Sequence, residues 1–307
     1  MKVVVTGGAG FIGANLTRRL STHHSVVVLD DLSSGRSTNL DGVSNIEFVE
    51  GSILDDDLLD RVISGCDAVV HLAARPSVPR SIAEPVAAHE VNATGTLKVL
   101  EATRRAGGPH VIVASSSSVY GANPTLPKTE SLATRPISPY AASKLAAESY
   151  TIAWGQSYGL PVLAFRFFNV FGPLQPAGHA YAAAIPTFID AALAGRPIPV
   201  HGTGQQSRDF TFVGTVANVI TQALELGITS AEPVNLAFGS NITLLDVIGR
   251  IEAILGRSLV VENLPARAGD VMHSQADNSL LRSLIPDVEP ESFESGLRQT
   301  IDWFTSR

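Results

Sequence analysis

The sequence predicts an α/β protein: a doubly wound parallel sheet with a smaller, loop-rich C-terminal lobe. Three observations carry this. Short apolar runs recur through the first half, at 3–5, 26–29, 46–49, 68–71, 111–114 and 162–165. Runs that brief, without polar alternation, read as strands buried on both faces, as in a parallel sheet. Helix-period segments lie among them, at 10–20, 55–63, 85–106 and 139–158. Strands alternating with helices imply right-handed crossovers. Past about Phe168 the pattern changes, and Pro- and Gly-rich loops at 172–180, 195–204 and 264–269 surround shorter elements. Residues 1–166 are thus expected to form the main domain, interleaved with a later segment at about 208–236. Residues 167–307 are expected to form mainly the second lobe.

The composition narrows the function. The chain has 307 residues, 45% hydrophobic and 17% charged, which is globular and not disordered. A formal net charge of -7 argues against general nucleic-acid binding, which favours a basic face. The single cysteine, Cys66, excludes an internal disulfide framework and sits just before an apolar run, where it reads as a structural residue. No basic-then-apolar leader and no run of about eighteen apolar residues is present, so the expectation is a cytoplasmic protein without a membrane span.

Thr6-Gly7-Gly8-Ala9-Gly10-Phe11-Ile12-Gly13 follows the first strand and opens the first helix. Glycines at 7, 10 and 13 allow a tight turn, close approach of the backbone to a pyrophosphate, and close helix–strand packing. The helix N-terminus then offers free N–H groups to phosphate. The second strand ends in Asp30-Asp31, acids suited to the adenosine ribose hydroxyls and repellent to a 2′-phosphate. The expected cofactor is NAD, on a Rossmann-type fold.

The segment Ser138-Pro139-Tyr140-Ala141-Ala142-Ser143-Lys144 places a tyrosine and a lysine four apart on one helix face. A tyrosine, with a pKa near ~10, is a poor base. A neighbouring ammonium stabilises its phenolate and lets it take a proton from a hydroxyl near neutral pH. The serine run 115–118 follows a buried strand, where ligands bind in such sheets.

Together these motifs resemble the extended short-chain dehydrogenase/reductase family, and within it the nucleotide-sugar 4-epimerases. The resemblance extends through His71-Leu72-Ala73-Ala74, Asn92-Ala93-Thr94-Gly95-Thr96, Arg166-Phe167-Phe168-Asn169, Arg208-Asp209-Phe210 and Arg267-Ala268-Gly269-Asp270-Val271. It implies a tightly held NAD and a UDP-sugar. Around the cofactor it implies Gly7, Gly10, Phe11, Ile12, Gly13, Asp30, Asp31, Ser33, Ser34, Gly35, Ser52, Ile53, Leu72, Ala73, Ala74, Asn92, Ser115, Tyr140, Lys144 and Phe167. Ser52 departs from the aspartate often found beside the adenine amino group. Around the substrate it implies Ser77, Ser116, Ser117, Ser118, Tyr140, Asn169, Ala183, Val200, Arg208, Arg267, Asp270 and Ser274.

The resemblance also assigns roles. Ser116 partners Tyr140 at the sugar 4-oxygen. Lys144 bonds the nicotinamide ribose as well. Asn169, Arg208 and Arg267 anchor the diphosphate, and Asp270 the uridine ribose. The dehydratase relatives carry two acids where this chain has Ser117 and Ser118, and hydroxyls are poor general acids or bases at pH 7. Ser274 resembles a gate beside the sugar C2 substituent, small enough to admit an N-acetyl group. The implied activity is 4-epimerisation of UDP-glucose/UDP-galactose and of UDP-GlcNAc/UDP-GalNAc. A UDP-glucuronate epimerase, with Arg75 or Arg80 at the carboxylate, and a non-catalytic NAD-binding regulator are the rival readings. Helices 85–106 and 139–158 resemble the family's dimer-forming pair, so a homodimer is expected. No metal is implied.

Overall fold

A computed structural model of the protein describes residues 1–178, 182–265 and 271–306. In the first half the elements are β1 (Lys2–Thr6), α1 (Phe11–Leu20), β2 (Ser25–Asp30), β3 (Ile46–Glu50), α2 (Asp56–Ile63), β4 (Ala68–His71), α3 (Val78–Ala83), α4 (Pro85–His89), α5 (Gly95–Arg105), β5 (His110–Ser116), α6 (Pro139–Tyr158) and β6 (Val162–Phe167). In the second half they are β7 (Val170–Phe171), α7 (Ala184–Leu193), β8 (Ile198–His201), β9 (Ser207–Arg208), β10 (Thr211–Phe212), α8 (Val213–Glu225), β11 (Val234–Leu236), β12 (Ile242–Thr243), α9 (Leu244–Leu255), β13 (Val261–Leu264), α10 (Ser279–Leu284) and α11 (Phe293–Thr305).

The central sheet has seven strands, all parallel, in the order β11-β6-β5-β4-β1-β2-β3. Its strand order reverses between β1 and β4, where a ligand crevice is expected. Five of the six apolar runs bury as read, with Val3, Val4, Val5, Val69, Val70 and Leu163 fully inaccessible; the sixth, 46–49, forms β3 at the edge of the sheet, where Glu47 and Phe48 stay exposed. One strand was not legible. β11 is three residues long and carries a buried Asn235 at its centre, so it gives no apolar run. The chain returns to the sheet there, after α8 has packed on α1.

The segment 85–105 winds continuously but not uniformly. A π-helical turn, Glu90–Thr94, joins α4 to α5. Such wide turns cluster at functional sites, and this one holds Asn92. Helix α6 keeps its sequence bounds because its ends are chemically marked. Ser138 caps Ala141 N–H at 3.1 Å, Pro139 fills the first turn, and Gly159 closes the helix at φ 68°.

The second lobe has a core of its own. Phe171, Phe188, Phe212, Ile248, Leu297 and Ile301 are buried together under α7, α9 and α11. Phe171 contacts Phe210, Phe212 and Phe293 with ring centroids 5.1–6.2 Å apart. The lobe therefore holds its shape through aromatic burial as well as loop hydrogen bonds. Among the described residues no helix is long and apolar enough to cross a membrane.

Candidate active site

Three cavities open along the carboxyl ends of the sheet strands, and Asn169 lines all of them. The first, about 350 Å³, begins at the glycine turn. Gly7, Gly10, Phe11, Ile12, Gly13, Asp30, Asp31, Ser33, Ser34, Ile53, Leu72, Ala73, Ala74, Ser115, Ser116, Tyr140, Lys144 and Phe167 line it. A Cβ on Gly13 would fall 2.1 Å from the Gly7 carbonyl oxygen, and one on Gly7, at φ +70°, 2.7 Å from Ala73 N. The turn can be this tight only with glycine. Helix α1 starts there with no side-chain cap, leaving its first amides to a ligand.

The two acids divide their work. Asp30 is buried, and its carboxylate accepts Ala9 N–H and Leu32 N–H, both at 2.9 Å. Burial raises its pKa against those bonds. It braces the glycine turn. Exposed Asp31 accepts Ser33 N–H at 2.9 Å through Oδ1 and lines the first cavity. An uncapped helix start, a cradle that only glycine allows and a carboxylate on its wall fit NAD, and the acid opposes a 2′-phosphate.

Three residues expected at the cofactor do not line the first cavity. Gly35 packs under the turn, where a Cβ would meet Ala9 at 2.8 Å. Ser52 does not line the cavity; its Oγ accepts Leu54 N–H at 3.2 Å, and its neighbours Gly51 and Ile53 do the lining. Asn92 is buried, accepts Arg75 N–H at 2.7 Å, and donates to Ser143 Oγ at 3.0 Å. It ties the loop after β4 to α6, one residue from Lys144.

Tyr140, Lys144 and Glu148 lie on successive turns of α6, the first two on the wall of the first cavity. Burial raises the Tyr140 pKa, and a hydrogen bond with Ser116 opposes it. Ser116 Oγ accepts from Ser118 N–H at 3.2 Å and Ser118 Oγ at 2.9 Å, which leaves its own O–H for Tyr140. Burial pulls Lys144 down to about 8, and the Glu148 charge resists this. Glu148 itself accepts Arg166 Nε at 2.9 Å, Arg166 Nη2 at 2.6 Å and Ser115 Oγ at 2.7 Å. Under Lys144 lies His71, with a pKa pushed down to about 3 by burial and then by the Lys144 charge. Thr96 donates to Asn92 O at 2.6 Å, so it accepts from His71 Nε2 at 3.0 Å, and Thr6 donates to Nδ1 at 2.7 Å. The imidazole is neutral and fixed.

The second cavity runs under the other lobe and is lined by Ala183, Pro199, His201, Gln206, Arg208 and Phe210. Val200, expected here, does not line it. Side chains alternate along β8, so Pro199 and His201 face the cavity while Val200 is fully buried in the second core. The third cavity, about 790 Å³, is lined by Ser116, Ser117, Ser118, Asn169, Arg208 and Ser274, among others. Ser77 does not line it; at φ 94° it caps α3 through Arg80 N–H at 3.3 Å. Arg267 and Asp270 lie outside the described residues. Gln175, which no sequence motif marks, lines the first two cavities, and its Oε1 is buried without a partner among the described residues. Gln206, His71 and Glu148 were missed as well. Two of these had a signal: His71 opens the His71-Leu72-Ala73-Ala74 motif, and Glu148 is spaced four from Lys144.

Comparison with known proteins fits this geometry. The model of the NAD dependent epimerase/dehydratase family matches residues 3–237. The chain belongs to this family. It is 36% identical to a UDP-glucose 4-epimerase of Mycolicibacterium smegmatis, over 100% of this chain and 99% of that one. The structure of a UDP-N-acetylglucosamine 4-epimerase from Methanobrevibacter ruminantium, in complex with UDP-N-acetylmuramic acid, superposes with a TM-score of 0.95 at 39% identity, covering 99% and 98% of the two chains. A UDP-glucuronic acid 4-epimerase from Bacillus cereus, in complex with UDP-glucuronic acid and NAD, gives 0.92 at 29% identity, covering 100% and 99%. The chain is an NAD-dependent enzyme standing among the UDP-sugar 4-epimerases, which are isomerases.

Proposed function

We propose that this enzyme interconverts UDP-glucose with UDP-galactose, and UDP-GlcNAc with UDP-GalNAc, through a 4-keto sugar. The observation that carries the reading is Ser274, a small side chain on the wall of the same cavity as Ser116. Tyr140 removes the 4-hydroxyl proton and later returns it, with Ser116 holding the 4-oxygen. Lys144 stabilises the phenolate. Bound NAD supplies the hydride acceptor and donor at C4. Asn169 and Arg208, where the cavities meet, hold the diphosphate while the sugar turns, an anchoring role suited to a fixed guanidinium. Arg267 and Asp270 are proposed to join them.

Elimination is disfavoured by the wall itself. No aspartate or glutamate among the described residues lines the third cavity, so dehydration lacks its acid and base. Arg75 and Arg80 are weak receptors for a uronate, because both face Glu84, at 2.8 and 4.0 Å. A homodimer through α4, α5 and α6 is supported by exposed Val86, Tyr150 and Tyr158.

A substrate panel tests the reading. Wild type turns over both pairs, and Ser274→Tyr keeps the glucose pair while losing the acetylated pair. No detectable turnover of UDP-GlcNAc by the wild type removes the acetylated half of the proposal.

A further inference from the structure

The third cavity extends past the reaction centre, and its wall contains a cation that the mechanism leaves unused. Lys128 lines the cavity although it is only 6% exposed. Its Nζ donates to the Asn123 carbonyl, which occupies one of the three N–H bonds an ammonium carries. Nearby acids are engaged elsewhere. Glu130 Oε1 accepts Asn235 N–H at 2.8 Å, and Asp277 Oδ1 accepts Ser279 N–H at 2.9 Å. Among the described residues no carboxylate pairs with Lys128, and burial lowers its pKa.

A buried lysine is almost always paired. A carbonyl needs only a neutral donor, so holding Asn123 does not explain the desolvated charge. The position is informative too. Lys128 N–H donates to Gln275 O at 2.8 Å, which sets it beside the Ser274 segment. The remaining charged or titratable wall residues are Arg208, His273 and Tyr120, and none is acidic.

We propose that Lys128 receives a carboxylate borne by the sugar, so that the enzyme binds acidic UDP-sugars besides neutral ones. This rests on the UDP-sugar reading above. The carboxylate is either at C6 of a uronic acid or at the end of an ether arm on an N-acetylated sugar. The two present the same anion to the ammonium from different ring positions.

Isothermal titration of the NAD-loaded enzyme separates the cases, with UDP, UDP-GlcNAc, UDP-glucuronate and UDP-N-acetylmuramate as probes. In Lys128→Gln at least one acidic sugar binds about tenfold or more weaker, the loss expected for a charge-assisted bond. UDP and UDP-GlcNAc stay within about twofold, and Lys128→Arg recovers most of the loss. Which acidic sugar responds assigns the ring position. Equal weakening of acidic and neutral sugars, or no change in either, overturns the proposal and leaves Lys128 holding the loop through Asn123. The wild type alone gives a second test: both acidic sugars binding more weakly than UDP itself also overturns it. Failure of UDP and UDP-GlcNAc to bind at all sinks the UDP-sugar reading instead.

Discussion

Lys144→Met is expected to make the NAD-free protein more stable while removing its activity. The fold holds the Lys144 ammonium in a site 5% exposed and lowers its pKa from 10.5 to about 8, chiefly by burial. At ~1.36 kcal/mol per tenfold, that is a penalty of roughly 3 kcal/mol on the charged form. Below about pH 8 both folded and unfolded chains carry the proton, so the full penalty applies at pH 7. Between about 8 and 10.5 the unfolded chain binds a proton that the folded chain has released, so wild-type stability rises with pH. Methionine has a similar length and no charge to desolvate. The variant should therefore exceed the wild type by up to ~3 kcal/mol at pH 7, with the gap closing toward pH 10.5. Urea unfolding of both proteins at pH 7, 8 and 9.5 measures it. A methionine variant less stable at pH 7, or a gap that does not change with pH, refutes the reasoning. Turnover should fall by ~10²–10⁴, as for loss of acid–base function. Stability is thus sacrificed at the site that needs a charge.

Two further outcomes follow from the same geometry. Tyr140→Phe should lower kcat by ~10²–10⁴ and leave NAD affinity within a few-fold, because the phenol serves proton transfer; coupled epimerase assays and NAD titration check this. Gly13→Ala, whose Cβ would press within 2.1 Å of the Gly7 carbonyl, should lose NAD on purification and cost about 1–3 kcal/mol, read by bound-cofactor absorbance and thermal unfolding.

The sequence determined the parts that depend on local pattern. Strands inside a parallel sheet are continuous apolar runs, and the edge strand β3 still keeps Ile46, Phe48 and Val49, so six of the seven strands were legible. The glycine turn and the Tyr140–Lys144 spacing are also local, since a tight turn needs glycine and a helix brings every fourth residue to one face. Tertiary structure decided whatever depends on non-local partners. Asp30 and Asp31 are adjacent acids, yet only the fold buries one against Ala9 N–H and leaves the other open. Val200 looked like its neighbours until β8 settled which face each side chain takes. His71 becomes a fixed, neutral imidazole beneath Lys144 only because Thr6 and Thr96 arrive on its two nitrogens from other elements. Lys128 reads as an ordinary loop lysine until folding removes it from water and, among the described residues, pairs it with no acid. Charge and polarity are properties of residues, but their cost and use depend on burial and partners, and those exist only once the chain has folded.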